Sequence, residues 1–94
     1  MYKIEYHKNV LKDIEKLKEN KLDSKAKKLI EVLRINPFQN PPPYEKLVGN
    51  LNGLYSRRIN IQHRLIYQVI EDKSVVRIIS MWSHYENIWL AVLV

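Results

Sequence analysis

All four prolines of the chain fall between positions 37 and 43, as Pro37 and the run Pro41-Pro42-Pro43. Proline removes a backbone donor, fixes its own φ and turns the preceding residue away from helix, so this segment must be an extended, helix-free connection. It separates two kinds of pattern. Before it, apolar residues recur at helical spacing; after it, they read as strands. The segment is too short for a domain linker and neither flank carries a complete core, so both halves must fold onto each other. Ninety-four residues are enough for one two-layer core and too few for a second. The expectation is a single α+β domain over residues 1–94.

The elements follow from periodicity. Tyr2, Ile4 and Tyr6 alternate with Lys3 and Glu5, the period of a half-buried strand that joins a sheet completed later in the chain. Over 8–19, Val10, Leu11, Ile14 and Leu17 mark the apolar face of a helix, with Lys12, Asp13, Lys16 and Lys18 elsewhere. A second helix uses Leu22, Ala26, Leu29, Ile30 and Leu33, with Asp23 or Ser24 as N-cap and Asn36-Pro37 as the stop. A turn near Asn20-Lys21 makes the two a helical hairpin. Beyond Gly49 and Gly53, the only glycines, three strands are predicted at 54–61, 64–70 and 75–82, with a turn over 71–74. Together these give an N-terminal strand, a helical hairpin and an antiparallel β-meander, the helices lying on one face of the sheet. The tail at 86–94 fits either a short helix or an added strand.

Composition narrows the function. Sixteen Lys and Arg against ten Asp and Glu leave a net charge of +6, which suits a polyanionic or acidic partner. There is no cysteine, so disulfides and thiolate metal sites are excluded and a reducing cytosol is compatible. The first residues do not read as a signal peptide, and the longest apolar run, 88–94, is seven residues, too short to span a bilayer. A cytoplasmic location without membrane contact is therefore expected. Walker and dinucleotide-binding glycine loops are lacking, and histidines at 7, 63 and 84 form no zinc-ligand pattern, so neither metal nor cofactor is expected.

Chemistry-bearing residues are spaced through the C-terminal half: Glu45, Arg57-Arg58, His63-Arg64 and His84-Tyr85. A carboxylate, arginines and a histidine are sufficient to break a phosphodiester without a metal, through a base, charge stabilisation at phosphorus and an acid. Strand alternation sends Arg64, Ile66 and Gln68 to one face and His63, Leu65, Tyr67 and Val69 to the other. It also separates Arg58 from Arg57, so one member of that pair shares the face of Arg64. Two arginines on adjacent strands repel unless an anion or carboxylate lies between them, which makes them a candidate phosphate clamp. Taken singly, each residue also has a plain structural reading. A lone Glu45 after prolines is commonly a solvated carboxylate and a strand-end histidine commonly structural. Tyr55, Tyr67 and Trp82 read first as half-buried core, and the lysines at 25, 27 and 28 as a solvated helix face. Tyr85 is the aromatic kept for base stacking.

The stretch from Glu45 to Tyr67, which contains Asn50-Leu-Asn-Gly-Leu-Tyr-Ser-Arg-Arg-Ile-Asn-Ile-Gln-His-Arg-Leu-Ile-Tyr67, followed by His84-Tyr85, resembles the YoeB/Txe family of the RelE/ParE toxin superfamily. The strand and two helices ahead of it are similar to that family's architecture, so the resemblance covers residues 1 to about 86. It implies the toxin of a bacterial toxin–antitoxin module, an endoribonuclease that cuts mRNA in the ribosomal A site without a metal. Matching positions imply Glu45, Arg64 and His84 as catalytic, with Arg58, Tyr85 and Lys46 binding substrate and Arg57 and His63 left in supporting parts. The implied partners are an acidic YefM/Phd-like antitoxin, the ribosomal 30S A site with its mRNA, and a second copy of the chain. Two features depart from the family pattern: Val48 stands where a lysine is usual, and residues 87–94 extend beyond the His-Tyr pair. Two other functions compete. One is a ParE-like inhibitor of DNA gyrase that cuts no RNA; the other is a degenerate module that only joins an antitoxin in repressing their operon.

Overall fold

A computed structural model describes residues 1–84, with the side chains of residues 83 and 84 left aside. The elements in chain order are β1 (Lys3–Tyr6), α1 (Val10–Glu19), α2 (Asp23–Ile35), β2 (Tyr44–Lys46), β3 (Leu54–Arg58), β4 (His63–Ile70) and β5 (Val75–His84). The five strands form one sheet in the order β1-β5-β4-β3-β2. β2 to β5 are antiparallel neighbours, and β1 lies parallel to β5 at the edge, so the sheet is mixed. The α+β architecture matches the expectation, with β2 added to the meander. No helix among the described residues is long and apolar enough to cross a membrane.

The core lies between the helices and one face of the sheet. Val10 and Leu17 of α1, Ala26, Ile30 and Leu33 of α2, and Leu65, Tyr67, Val76, Ile78 and Met81 of the sheet form one buried cluster. Leu11, predicted for the same helix face, is 68% exposed. At about 100° per residue it stands that far round from Val10, whereas Ile14 and Leu17 fall within about 40° of it. Asp13, assigned to the outer face, instead accepts from the backbone N–H of Met81 at 2.9 Å and ties α1 to β5.

Several boundaries differ from the sequence reading. Asp23 and Ser24 do not cap α2: the cap position is Leu22, without a side-chain cap bond, because the preceding turn already fixes the chain's entry. That turn is a Schellman motif closing α1, with Leu22 N–H on Leu17 O at 2.8 Å, Lys21 N–H on Lys18 O at 3.1 Å, and Lys21 in the left-handed region at φ 57°. β3 ends at Arg58, short of position 61, because Asn60 Oδ1 accepts from the N–H groups of Gln62 (2.9 Å) and His63 (2.7 Å) and turns the chain early. β5 runs on to His84, crossing two register shifts against β4 between Arg64 and Tyr67. The second helix does stop at Asn36, which is extended at φ −155°.

Candidate active site

Alternation along β3 resolves the arginine pair. Arg57 faces the helices and is fully buried, while Arg58 is exposed and stands directly opposite Arg64 of β4. Arg64 is in turn opposite Ser83 of β5, so positions 58, 64 and 83 form one row across three strands. Glu45 stands opposite Ser56, two residues before Arg58 on β3 and therefore on the same face. This is where the sheet brings a carboxylate to the arginines. Arg64 Nη1 lies 3.5 Å from Glu45 Oε1 and 3.5 Å from Ser56 Oγ. At that length both contacts are Coulombic more than directional hydrogen bonds.

Burial within the pair is unequal. The Arg64 side chain is 4% exposed and that of Glu45 60%, so a fixed, enclosed cation is faced by a carboxylate open to a ligand. Arg58 also lines a surface depression with Lys25, Asn60, Ile61 and Gln62. Between them the two arginines offer one sheltered and one accessible guanidinium, an arrangement suited to holding a phosphate from two sides.

His84 ends β5, its backbone opposite His63 and one residue beyond Ser83, the partner of Arg64. Tyr85 and the extension at 87–94 lie outside the described residues. Lys46 is not brought to the row: it pairs with Tyr55, and alternation turns it to the other side of β2 from Glu45. Val48 is exposed just past that strand. His63 is buried with its ring stacked on Trp82, the centroids 3.8 Å apart and the planes at 17°. Among the described residues no group of three or more His, Asp or Glu side chains is placed to hold a metal ion.

Two residues of the site neighbourhood were not singled out from the sequence as members of it. Ser56 is wholly buried and reaches Arg64, beside which the sheet register sets it. Arg57, read only as supporting, organises the opposite face. Its Nε donates to Tyr67 Oη at 3.2 Å, Nη2 donates to Pro37 O at 3.0 Å and Gln39 O at 2.8 Å, and Nη1 donates to Pro42 O. Tyr67 Oη donates onward to Pro37 O at 2.8 Å, and the guanidinium lies 5.0 Å from the Tyr44 ring centroid. Burial pushes the Tyr67 phenol above its ordinary value, with Arg57 acting in the opposite direction. Phe38, Tyr44, Tyr55 and Tyr67 continue as an aromatic cluster with neighbouring centroids 5.4 to 6.2 Å apart, which accounts for Tyr55 and Tyr67 as core.

A family model described as the YoeB-like toxin of bacterial type II toxin–antitoxin systems matches residues 6–85, ending on the residue after His84. The toxin YoeB of Synechocystis is 40% identical over 69 residues, covering 73% of this chain and 78% of that protein. The Escherichia coli K12 toxin YoeB is 36% identical over 58 residues, 62% of this chain and 69% of that one. Among solved structures, a YoeB/ParE toxin from Agrobacterium tumefaciens superposes with a TM-score of 0.79 at 27% identity, covering 88% of this chain and 99% of that one. The toxin in a Staphylococcus aureus YoeB–YefM complex gives 0.74 at 32% identity over 90% of this chain and 99% of that one. Fold and sequence converge on one assignment: the chain belongs to the YoeB-like toxins of bacterial type II toxin–antitoxin systems.

Proposed function

We propose that this toxin is a ribosome-dependent endoribonuclease that cleaves mRNA in the A site without a metal. The observation that carries the reading is the pairing of an exposed carboxylate, Glu45, with an enclosed guanidinium, Arg64, at 3.5 Å beside Arg58. Glu45 takes the proton from the RNA 2′-hydroxyl, and the 2′-oxygen attacks phosphorus. Arg64 and Arg58 hold the charge that builds on the phosphoryl oxygens in the pentacoordinate transition state. His84 gives a proton to the leaving 5′-oxygen as the P–O5′ bond breaks, leaving a 2′,3′-cyclic phosphate and a 5′-hydroxyl. Tyr85 supplies a stacking surface for a base. Lys46 pairs with Tyr55, on the other side of β2 from Glu45.

The partners follow from the family. Solved Staphylococcus aureus relatives include a YoeB–YefM complex and a YoeB dimer. By the same reading this chain binds an acidic antitoxin, which its +6 charge suits, and pairs with a second copy. The test is direct. Purified Glu45→Ala and His84→Ala proteins are expected to cut ribosome-bound mRNA about 10²- to 10⁴-fold more slowly, the usual loss for a positioned base or acid. Mapping of 5′-hydroxyl RNA ends after expression should show cuts for the wild type and none for Arg64→Ala. Inhibition of supercoiling with no new RNA ends would overturn the assignment in favour of a gyrase-binding toxin.

A further inference from the structure

Glu45 sits on the weakest strand of the sheet. β2 has three residues, lies at the edge, and is preceded by a segment with prolines at 37, 41, 42 and 43. Those prolines have no backbone N–H, and the N–H groups of Phe38 and Gln39 already donate to Asn36, so the segment meets β3 chiefly through its carbonyls. Arg57 supplies the missing donors. It stands on β3 opposite Tyr44, the first residue of β2, and its guanidinium donates to the carbonyls of Pro37, Gln39 and Pro42 as well as to Tyr67 Oη. Pro37 is itself fully buried, so the segment is gripped at its start by packing and along its length by one cation.

Among the described residues the hydrogen-bond partners of this buried cation are four neutral oxygens, none of them a carboxylate. Lysine, with a single ammonium and three rotatable donors, has no flat fork with which to reach four oxygens around a plane. The guanidinium lies on the helix side of the sheet and Glu45 on the opposite side, so Arg57 never meets substrate. What it fixes is the strand between them.

We propose that Arg57 is a positioning residue for Glu45: it clamps the proline segment so that the three-residue strand β2 presents the carboxylate at a set distance from Arg64. The inference rests on the reading of Glu45 as general base. A displacement of about 1 Å at a reacting group costs about 10²-fold, and that is the size of effect expected when the clamp is loosened.

The experiment pairs kinetics with hydrogen exchange in Arg57→Lys, Tyr67→Phe, Glu45→Gln and the double variant Arg57→Lys/Glu45→Gln. Leu47 N–H, which donates to Leu54 O at 2.9 Å next to β2, reports whether the strand is held. For folded Arg57→Lys the single-turnover cleavage rate at saturating ribosome should fall about 10²-fold with little change in half-saturation. Leu47 should exchange faster while the β4–β5 amides keep their protection, and the double variant should be no slower than Glu45→Gln alone. A folded Arg57→Lys protein with the wild-type rate, or with unchanged Leu47 exchange, overturns the proposal, as does a double variant whose losses multiply. If Glu45→Gln cuts at the wild-type rate, the reading of Glu45 fails instead, an outcome distinct from a slow Glu45→Gln beside an unaffected Arg57→Lys. Should Arg57→Lys not fold, Tyr67→Phe, which removes one of the four acceptors, carries the same comparison: faster Leu47 exchange with a slower rate supports the clamp, and no change in either overturns it.

Discussion

Arg57 and Arg58 are chemically identical neighbours with opposite fates, one buried among carbonyls and one exposed beside Arg64. Strand alternation guarantees the separation, but not which arginine goes inward. That was settled by what waits on the helix side: proline-segment carbonyls and Tyr67, able to satisfy a guanidinium without water. The same environment makes Tyr67 a pH-sensitive group. Its folded-state phenol titrates above the ordinary value near 10, so the stability it contributes is complete below pH 10 and lost as pH rises through the folded value. Thermal melts from pH 9 to 12 should therefore show a steeper alkaline fall in the wild type than in Tyr67→Phe; parallel curves would remove Tyr67 as the cause. Of the site, Glu45, Arg58 and Arg64 were legible as residue types at workable spacings. Ser56 was not, because a serine two residues from an arginine on a strand carries no signal until the sheet register sets it beside Arg64.

At the level of elements, a side-chain contact from α1 ties the helical layer to the sheet. Asp13 leaves the polar side of α1 to accept from Met81 N–H, just past the register shift opposite Ile66, where the ladder is interrupted. Asp13→Ala strands that donor beside a Met81 side chain that is 2% exposed, and should cost about 1–3 kcal/mol in urea unfolding. A loss below about 0.5 kcal/mol, the ordinary scatter of surface substitutions, would mean that water replaces the carboxylate. The turn between α1 and α2 carries a different cost. Lys21 adopts φ 57°, a conformation glycine enters without the Cβ clash, so Lys21→Gly should stabilise by about 0.5–1 kcal/mol despite glycine's greater unfolded freedom. A fall in melting temperature would show that the Lys21 side chain contributes more than its backbone strain removes. Helix positions and the end of α2 were legible from period and from Pro37. Its start was not, because Asp23 and Ser24 have the chemistry of caps, whereas the Schellman turn that closes α1 leaves Leu22 at the cap position. β2 was likewise invisible: three residues after a proline run show no alternation, and the strand exists only because β3 pairs with it.

Across the whole molecule, a mixed sheet covered by helices on one face leaves the other to carry Glu45, Arg58 and Arg64. If this face meets RNA phosphates, binding should weaken steeply with salt, and Arg58→Ala should reduce the slope of log K against log salt by about 0.7, the value for one single-strand phosphate contact. An unchanged slope for ribosome binding would take Arg58 off the phosphate. The amino-acid sequence by itself determined the class of fold, the break between helical and β halves, and the residue types needed for phosphodiester chemistry, because periodicity and proline geometry are local properties of the chain. Only the tertiary structure decided that Glu45 faces Arg64 at 3.5 Å, that Arg57 belongs to the proline segment, and that Lys46 points away. Those outcomes depend on which strands become neighbours and in what register, and a shift of one residue in that register exchanges every inward side chain for an outward one.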